Sequence, residues 1–257
     1  MSTPLRSPWP ARRTLPHDEQ GRELAIQARH LHLKGKRGIV YGPLDLDIPA
    51  GSLSVLTGRE GSGKTSMLLT LTGRMKPTKG SELTVLGYEL PARAMSVQRR
   101  SAAMGVAGLD DLDEEVTVGA CVRERQAWLS PGWKWLRNPD DRAVQSVCAR
   151  TFGDLPIPSA RRIVHELPEA SNLLLRIALA LMSQPALIVV DEIDQLHDIA
   201  ERDLVWQRLG ALAAQGTTVI TACASPRELD RLDVSTTPLI IELPEHDTAS
   251  LAEAAGR

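Results

Sequence analysis

The sequence predicts an α/β fold built on a strand–loop–helix unit, with an antiparallel β layer before it and a helical insertion after it. Three observations carry that prediction. Leu53-Ser54-Val55-Leu56-Thr57 is a short apolar strand that runs directly into a glycine-rich loop, and Ser66 to Leu71 continues as a helix that Gly73 can end. Upstream, Leu24, Ile26 and Ala28 alternate with polar neighbours, and Leu44, Leu46 and Ile48 repeat the period before Pro49-Ala50-Gly51, as two antiparallel strands would. Downstream the pattern alternates helix and strand. It reads as a helix from Ser171 to Met182, an apolar strand from Ala186 to Val190, a helix from Ala200 to Ala214, and strands Thr217 to Cys223 and Leu239 to Ile241.

Leu83 to Gly87 reads as one more strand, after which the periodicity breaks. An acidic run from Asp110 to Glu115 reads as a solvated loop, because blocks of like charge repel and hydrate. The expected organisation is a flexible N-terminal tail over 1–21, one domain over 22–245 with a helical subdomain inserted at about 95–165, and a C-terminal tail over 246–257.

With 257 residues of which 42% are hydrophobic, the chain can bury one substantial core. A formal charge of -2, from 30 basic and 32 acidic residues, gives no broad basic field, which argues against a nucleic-acid partner. Cys121, Cys148 and Cys223 are widely spaced without a Cys-x-x-Cys pair, as expected of reduced thiols in the cytosol. No stretch approaches the roughly 18 apolar residues of a membrane span, so membrane association would run through another chain.

Gly58-Arg59-Glu60-Gly61-Ser62-Gly63-Lys64-Thr65 has the spacing of a phosphate-binding loop, and Ser66 opens the helix behind it. Glycines at 58, 61 and 63 let successive N–H groups converge on a phosphate at the positive end of that helix. Lys64 can neutralise β- and γ-phosphates, and the Thr65 hydroxyl can ligate Mg²⁺. The apolar strand ending in Asp191-Glu192 supplies the complementary carboxylates. Asp191 can hold the metal's water shell, and Glu192 can orient or deprotonate an attacking water.

These motifs, with their flanks, resemble the ATP-binding cassette ATPases of ABC transporters over about residues 23–243. The segment Leu44 to Gly51 is similar to the family's strand and turn before the phosphate loop, and Leu71 to Gly80 to its post-helix segment. Arg176 to Leu181, followed by Pro185, has the family's spacing between signature helix and Walker B strand. The resemblance implies a P-loop NTPase (RecA-like) core with an antiparallel β layer and a helical subdomain. It further implies ATP and Mg²⁺ as ligands, and a dimer associated with a membrane permease on the inner face of the cell membrane.

The same register shows departures. The signature position falls on Leu167-Pro168-Glu169-Ala170-Ser171, where only the leucine agrees with the family. Pro168 lacks an N–H, and Glu169 would bring negative charge toward a partner's phosphate. The Q-loop glutamine falls at Gly108 and the H-loop histidine at Ala224, and no aromatic stands near Gly35-Lys36 where the family stacks adenine. His197, beside Asp198 in the D-loop region, is a candidate replacement for the absent histidine. Trp128, Trp133 and Trp135, with Pro131 and Lys134, either fill the helical subdomain's own core or form a docking patch for a membrane partner.

Two functions remain open on the sequence. One is an ATP-binding transporter subunit in which Lys64, Thr65, Asp191 and Glu192 serve the site, paired with a second cassette whose intact signature completes it. The other is a nucleotide-regulated binding or assembly module with little turnover.

Overall fold

Alternating side chains pair first. In the computed structural model, which describes residues 13–36, 38–106, 108–130, 137–191, 193–224 and 237–244, β1 (Leu24–Gly35) and β2 (Gly38–Pro49) run antiparallel. The hairpin of β4 (Glu82–Val85) and β5 (Tyr88–Leu90) extends this sheet to the order β2-β1-β4-β5. The continuous apolar runs behave differently. β3 (Leu53–Thr57), β7 (Leu187–Val190) and β8 (Thr218–Cys223) are buried at every residue and form the centre of a parallel sheet. Burial on both faces is what such uninterrupted apolar strands require. With β6 (Ser101–Met104) and β9 (Leu239–Glu242) at its edges, the order is β6-β7-β8-β3-β9.

The two-residue period of the strands divides the interior into two cores. Ile188 and Val190 of β7 face a core shared with the helices α3 (Val118–Leu129), α4 (Asp141–Phe152), α5 (Glu169–Leu181) and α6 (Ile199–Ala214). Leu187 and Val189 face the other, made with the antiparallel sheet and with Met67, Leu68 and Leu71 of α1 (Lys64–Leu71). A short helix, α2 (Ala94–Gln98), leads into β6. In α4 the buried residues Val144, Cys148, Thr151 and Phe152 fall on one helical face. Thr117, Asp140 and Asp198 cap α3, α4 and α6 by accepting hydrogen bonds from first-turn N–H groups.

The insertion expected at about 95–165 starts later than the sequence suggested. Residues 101–104 are a core strand, paired in parallel with β7 from Ser101↔Leu187 to Met104↔Val190. Ser-Ala-Ala-Met carries neither β-branched side chains nor alternation, so only its partner strand makes it β. The acidic run is also not simply solvated. The Asp110 side chain is 15% exposed, ion-pairs with Arg176 at 2.7 Å, and accepts hydrogen bonds from the Gly105 and Val106 N–H groups.

Directly after β6 the chain turns through Gly105 at φ +74, where a Cβ would stand 2.2 Å from the Asp191 carbonyl oxygen. Gly105→Ala is expected to cost about 1–3 kcal/mol in chemical unfolding, since overpacking against backbone leaves little room to relax. Phe152, 1% exposed in the helix-side core, sets a second expectation. Phe152→Ala lowers the unfolding free energy by about 3–5 kcal/mol, measured by denaturant titration.

Candidate functional site

Strand β3 carries the chain along the middle of the parallel sheet and releases it at Gly58, and α1 starts six residues later with Gly63 in its cap position. Gly63 is held at φ +88, and a Cβ there would come 2.6 Å from the Val40 carbonyl oxygen, so β2 packs against the loop only because this residue has no side chain. The first turn of α1 has no acidic residue and its cap makes no side-chain hydrogen bond. Its N–H groups therefore stay available to an anion. The Ser62 Oγ is buried without a partner inside the loop.

Lys64 folds back over the loop, donating from Nζ to the Gly58 carbonyl at 2.6 Å and the Arg59 carbonyl at 3.0 Å. Thr65 Oγ1 donates to the Asp191 Oδ2 across 126 residues of sequence. Asp191 reaches it from the end of β7, where its N–H donates to the Met104 carbonyl at 2.9 Å. A hydroxyl and a carboxylate together at an uncapped helix N-terminus are hard oxygen donors suited to Mg²⁺, which usually takes one or two protein ligands and fills its shell with phosphate and water. Among the described residues no group of three or more His, Cys, Asp or Glu side chains could cage a metal.

These groups line a cleft of about 700 Å³ together with Glu60, Gly61, Ser66, Gly105 and Val106, with Asp194 and Gln195 beyond Asp191 and Ala224 after β8. Gly58, Arg59 and Ser62 are not among its lining residues. Glu192 lies outside the described residues, as do Pro131, Trp133, Lys134 and Trp135. Gly105 and Val106 border the cleft, whereas Gly108 is not among its lining residues and donates to Asp111. None of the three carries an amide side chain. Ala224 does sit in the cleft, without an imidazole.

His197 does not replace it. Its Nδ1 lies 2.9 Å from Glu169 Oε1, its ring is 89% exposed, and it is not part of the cleft. The His197 N–H donates to Glu169 Oε2 at 3.0 Å, and these contacts hold the Glu169 carboxyl below the usual carboxylate range. Pro168 caps α5, and the Ala170 N–H donates to the Glu201 carboxylate at 2.9 Å. The end of α5 that aligns with the family signature is thus occupied by the protein's own acids.

Tyr41, the aromatic nearest the expected adenine position in sequence, is fully buried and donates to Thr70 Oγ1 at 2.7 Å. Burial pushes its phenol up to about 12, against the hydrogen bond to Thr70. Val40, its neighbour, lines the cleft instead. Val40, Gly105 and Val106 carry no motif that marks them for the cleft; strand register puts them there.

Residues 41–195 match the ABC transporter family. The Nod factor export ATP-binding protein I of Mesorhizobium japonicum is 32% identical over 194 residues, covering 76% of this chain and 54% of the relative. The protein of the same name from Rhizobium meliloti strain 1021 is 29% identical over 198 residues, 77% of this chain and 56% of that one. The chain therefore spans just over half the length of these curated relatives. Among solved structures, a Clostridium perfringens protein described as part of an ABC transporter complex superposes with a TM-score of 0.66 at 15% identity, covering 90% of this chain and 91% of its own. A dimeric ATP-binding cassette bound to ADP and Pi superposes with a TM-score of 0.64 at 17% identity, over 86% of this chain and 97% of that one. Together with the glycine loop, the uncapped α1 and the Thr65–Asp191 contact, these similarities make the chain a member of the ABC transporter family of ATP-binding cassettes.

Proposed function

We propose that the protein is the nucleotide-binding subunit of an ABC transporter, which holds MgATP in the Gly58–Thr65 cleft and couples its binding and slow hydrolysis to a separate membrane permease. The observation that carries this reading is the meeting of Thr65 and Asp191 at the bare N-terminus of α1. Mg²⁺, when bound, would supply positive charge that offsets the charge of the phosphates. The loop N–H groups orient the phosphates, and Lys64 exchanges its two carbonyl partners for phosphate oxygens. Asp191 and Thr65 would hold the metal, and Glu192 would orient or deprotonate the attacking water.

Slow turnover follows from what the cleft lacks. Ala224 lines the cleft without an imidazole and Gly108 stands at the position read as the Q-loop glutamine's, and losing one such transition-state contact typically costs about 10²–10³ in rate. The α5 end supports a heterodimer. A second cassette with an unaltered signature would complete this chain's phosphate site, while the reciprocal site, facing Glu169 and Glu201, would be degenerate. Among the described residues no helix is long and apolar enough to cross a membrane, so attachment to the inner face of the cell membrane would run through the permease. A second reading, a nucleotide-regulated assembly module with little turnover, is favoured by the same absences in the cleft.

Calorimetric titration of the chain with MgATP is expected to show binding that Lys64→Ala weakens about ten- to hundred-fold, the value of one or two charge-assisted hydrogen bonds. Unaltered binding in that variant removes both readings. The isolated chain is expected to hydrolyse ATP slowly; a brisk steady-state rate abolished by Glu192→Gln excludes the assembly module. In light scattering, Glu192→Gln with MgATP stays monomeric if the acids at α5 reject a second copy's phosphate, and a nucleotide-dependent homodimer contradicts the heterodimer.

A further inference from the structure

One carboxylate of the acidic run is used inside the protein. Asp110 Oδ2 accepts from Arg176 Nε at 2.7 Å and from the Gly105 N–H at 3.1 Å, and Oδ1 accepts from the Val106 N–H at 3.3 Å. The Asp110 and Arg176 side chains are only 15% and 14% exposed, so salt and water screen the pair little. Arg176 stands on α5 between the fully buried Leu175 and Ile177, which fixes where its guanidinium can reach. Its Nη2 is buried without a hydrogen bond, 3.8 Å from Asp111, and leaves Asp110 as its closest carboxylate.

Neither residue lines the phosphate cleft, but the N–H groups that Asp110 holds belong to Gly105 and Val106, which do. Gly105 lies against the backbone of Asp191. A Cβ on it would come 2.2 Å from the Asp191 carbonyl oxygen and 3.2 Å from the Asp191 nitrogen. One residue earlier, the Met104 carbonyl accepts from the Asp191 N–H. β6 is poorly equipped to secure this junction alone. It is an edge strand, paired only with β7, and Ser101 to Met104 has little strand propensity.

We propose that Asp110 and Arg176 are positioning residues for the metal: their ion pair pins the backbone of Gly105 and Val106 against Asp191 and so aims the Asp191 carboxylate at the Thr65 hydroxyl. This rests on the MgATP reading of the cleft and adds to it two residues that touch neither nucleotide nor metal. Removing a group that orients a metal ligand typically costs about ten- to hundred-fold in metal affinity. Asp110 acts through one further backbone contact, which puts its effect at the lower end.

The test is binding of a fluorescent ATP analogue to the full chain in EDTA and in excess Mg²⁺. In the unaltered protein Mg²⁺ tightens binding, and Asp191→Asn removes most of that gain. Asp110→Ala is expected to cut the gain about tenfold. Binding in EDTA, which uses the loop N–H groups and Lys64, stays unchanged. Arg176→Met acts in the same direction but less, because Asp110 keeps its two N–H donors. Added to Asp191→Asn, Asp110→Ala removes nothing more, since changes along one path are not additive. Breaking a buried ion pair also lowers stability, so melting midpoints are compared throughout. If Asp110→Ala does not fold, Asp110→Asn, which keeps an acceptor oxygen for the backbone, carries the same measurement. An undiminished Mg²⁺ gain, equal losses in EDTA and Mg²⁺, or additivity with Asp191→Asn overturns the proposal and leaves the MgATP reading standing. No gain from Mg²⁺ in the unaltered chain removes the MgATP reading itself.

Discussion

The hydrogen bond between Thr65 and Asp191 depends on strand register more than on either side chain. β3 and β7 are not neighbours; β8 lies between them, paired from Leu53↔Val219 to Thr57↔Cys223 on one side and from Leu187↔Thr218 to Val190↔Thr221 on the other. The buried Thr221 hydroxyl, donating to the Val190 carbonyl at 2.7 Å, adds a side-chain tie at the same level. On the far side of β7, Gly105 packs against the Asp191 backbone. A slip of any strand would carry the carboxylate away from the loop, and apolar burial on both faces is what prevents the slip.

Two helix N-termini show how local sequence makes similar backbone do opposite things. That of α1 has no acid in its first turn and no side-chain cap, so its positive end faces the cleft. That of α5 has Pro168 in the cap position, Glu169 in the first turn and Glu201 on its Ala170 N–H. His197 contacts Glu169 through both ring and backbone. The first is built to receive an anion. The second has already received two from its own chain, an asymmetry that supports an unequal pair of cassettes.

What could be read in advance was local or strongly periodic. The glycine loop is legible because tight turns, positive φ and phosphate approach all demand the same residues within eight positions. β3, β7 and β8 are legible as continuous apolar runs. β6 was not, since Ser101 to Met104 has no intrinsic β signal. Asp110 read as part of a solvated charge block because Arg176 lies 66 residues away. Trp128 could have been core or surface, and the fold turns it outward while Trp206 fills the interior.

By itself the sequence determined the α/β class, the phosphate loop, Asp191 as its distant complement, and the altered residues at the signature. Each is a matter of residue type at fixed spacing, which covalent geometry and periodicity make local. Only the tertiary structure decided that Thr65 meets Asp191, that Gly105 and Val106 border the cleft, and that His197 serves Glu169. It also decided that Asp110 meets Arg176. Those facts depend on strand pairing and helix packing between segments tens to more than a hundred residues apart, where burial and steric fit choose the partners.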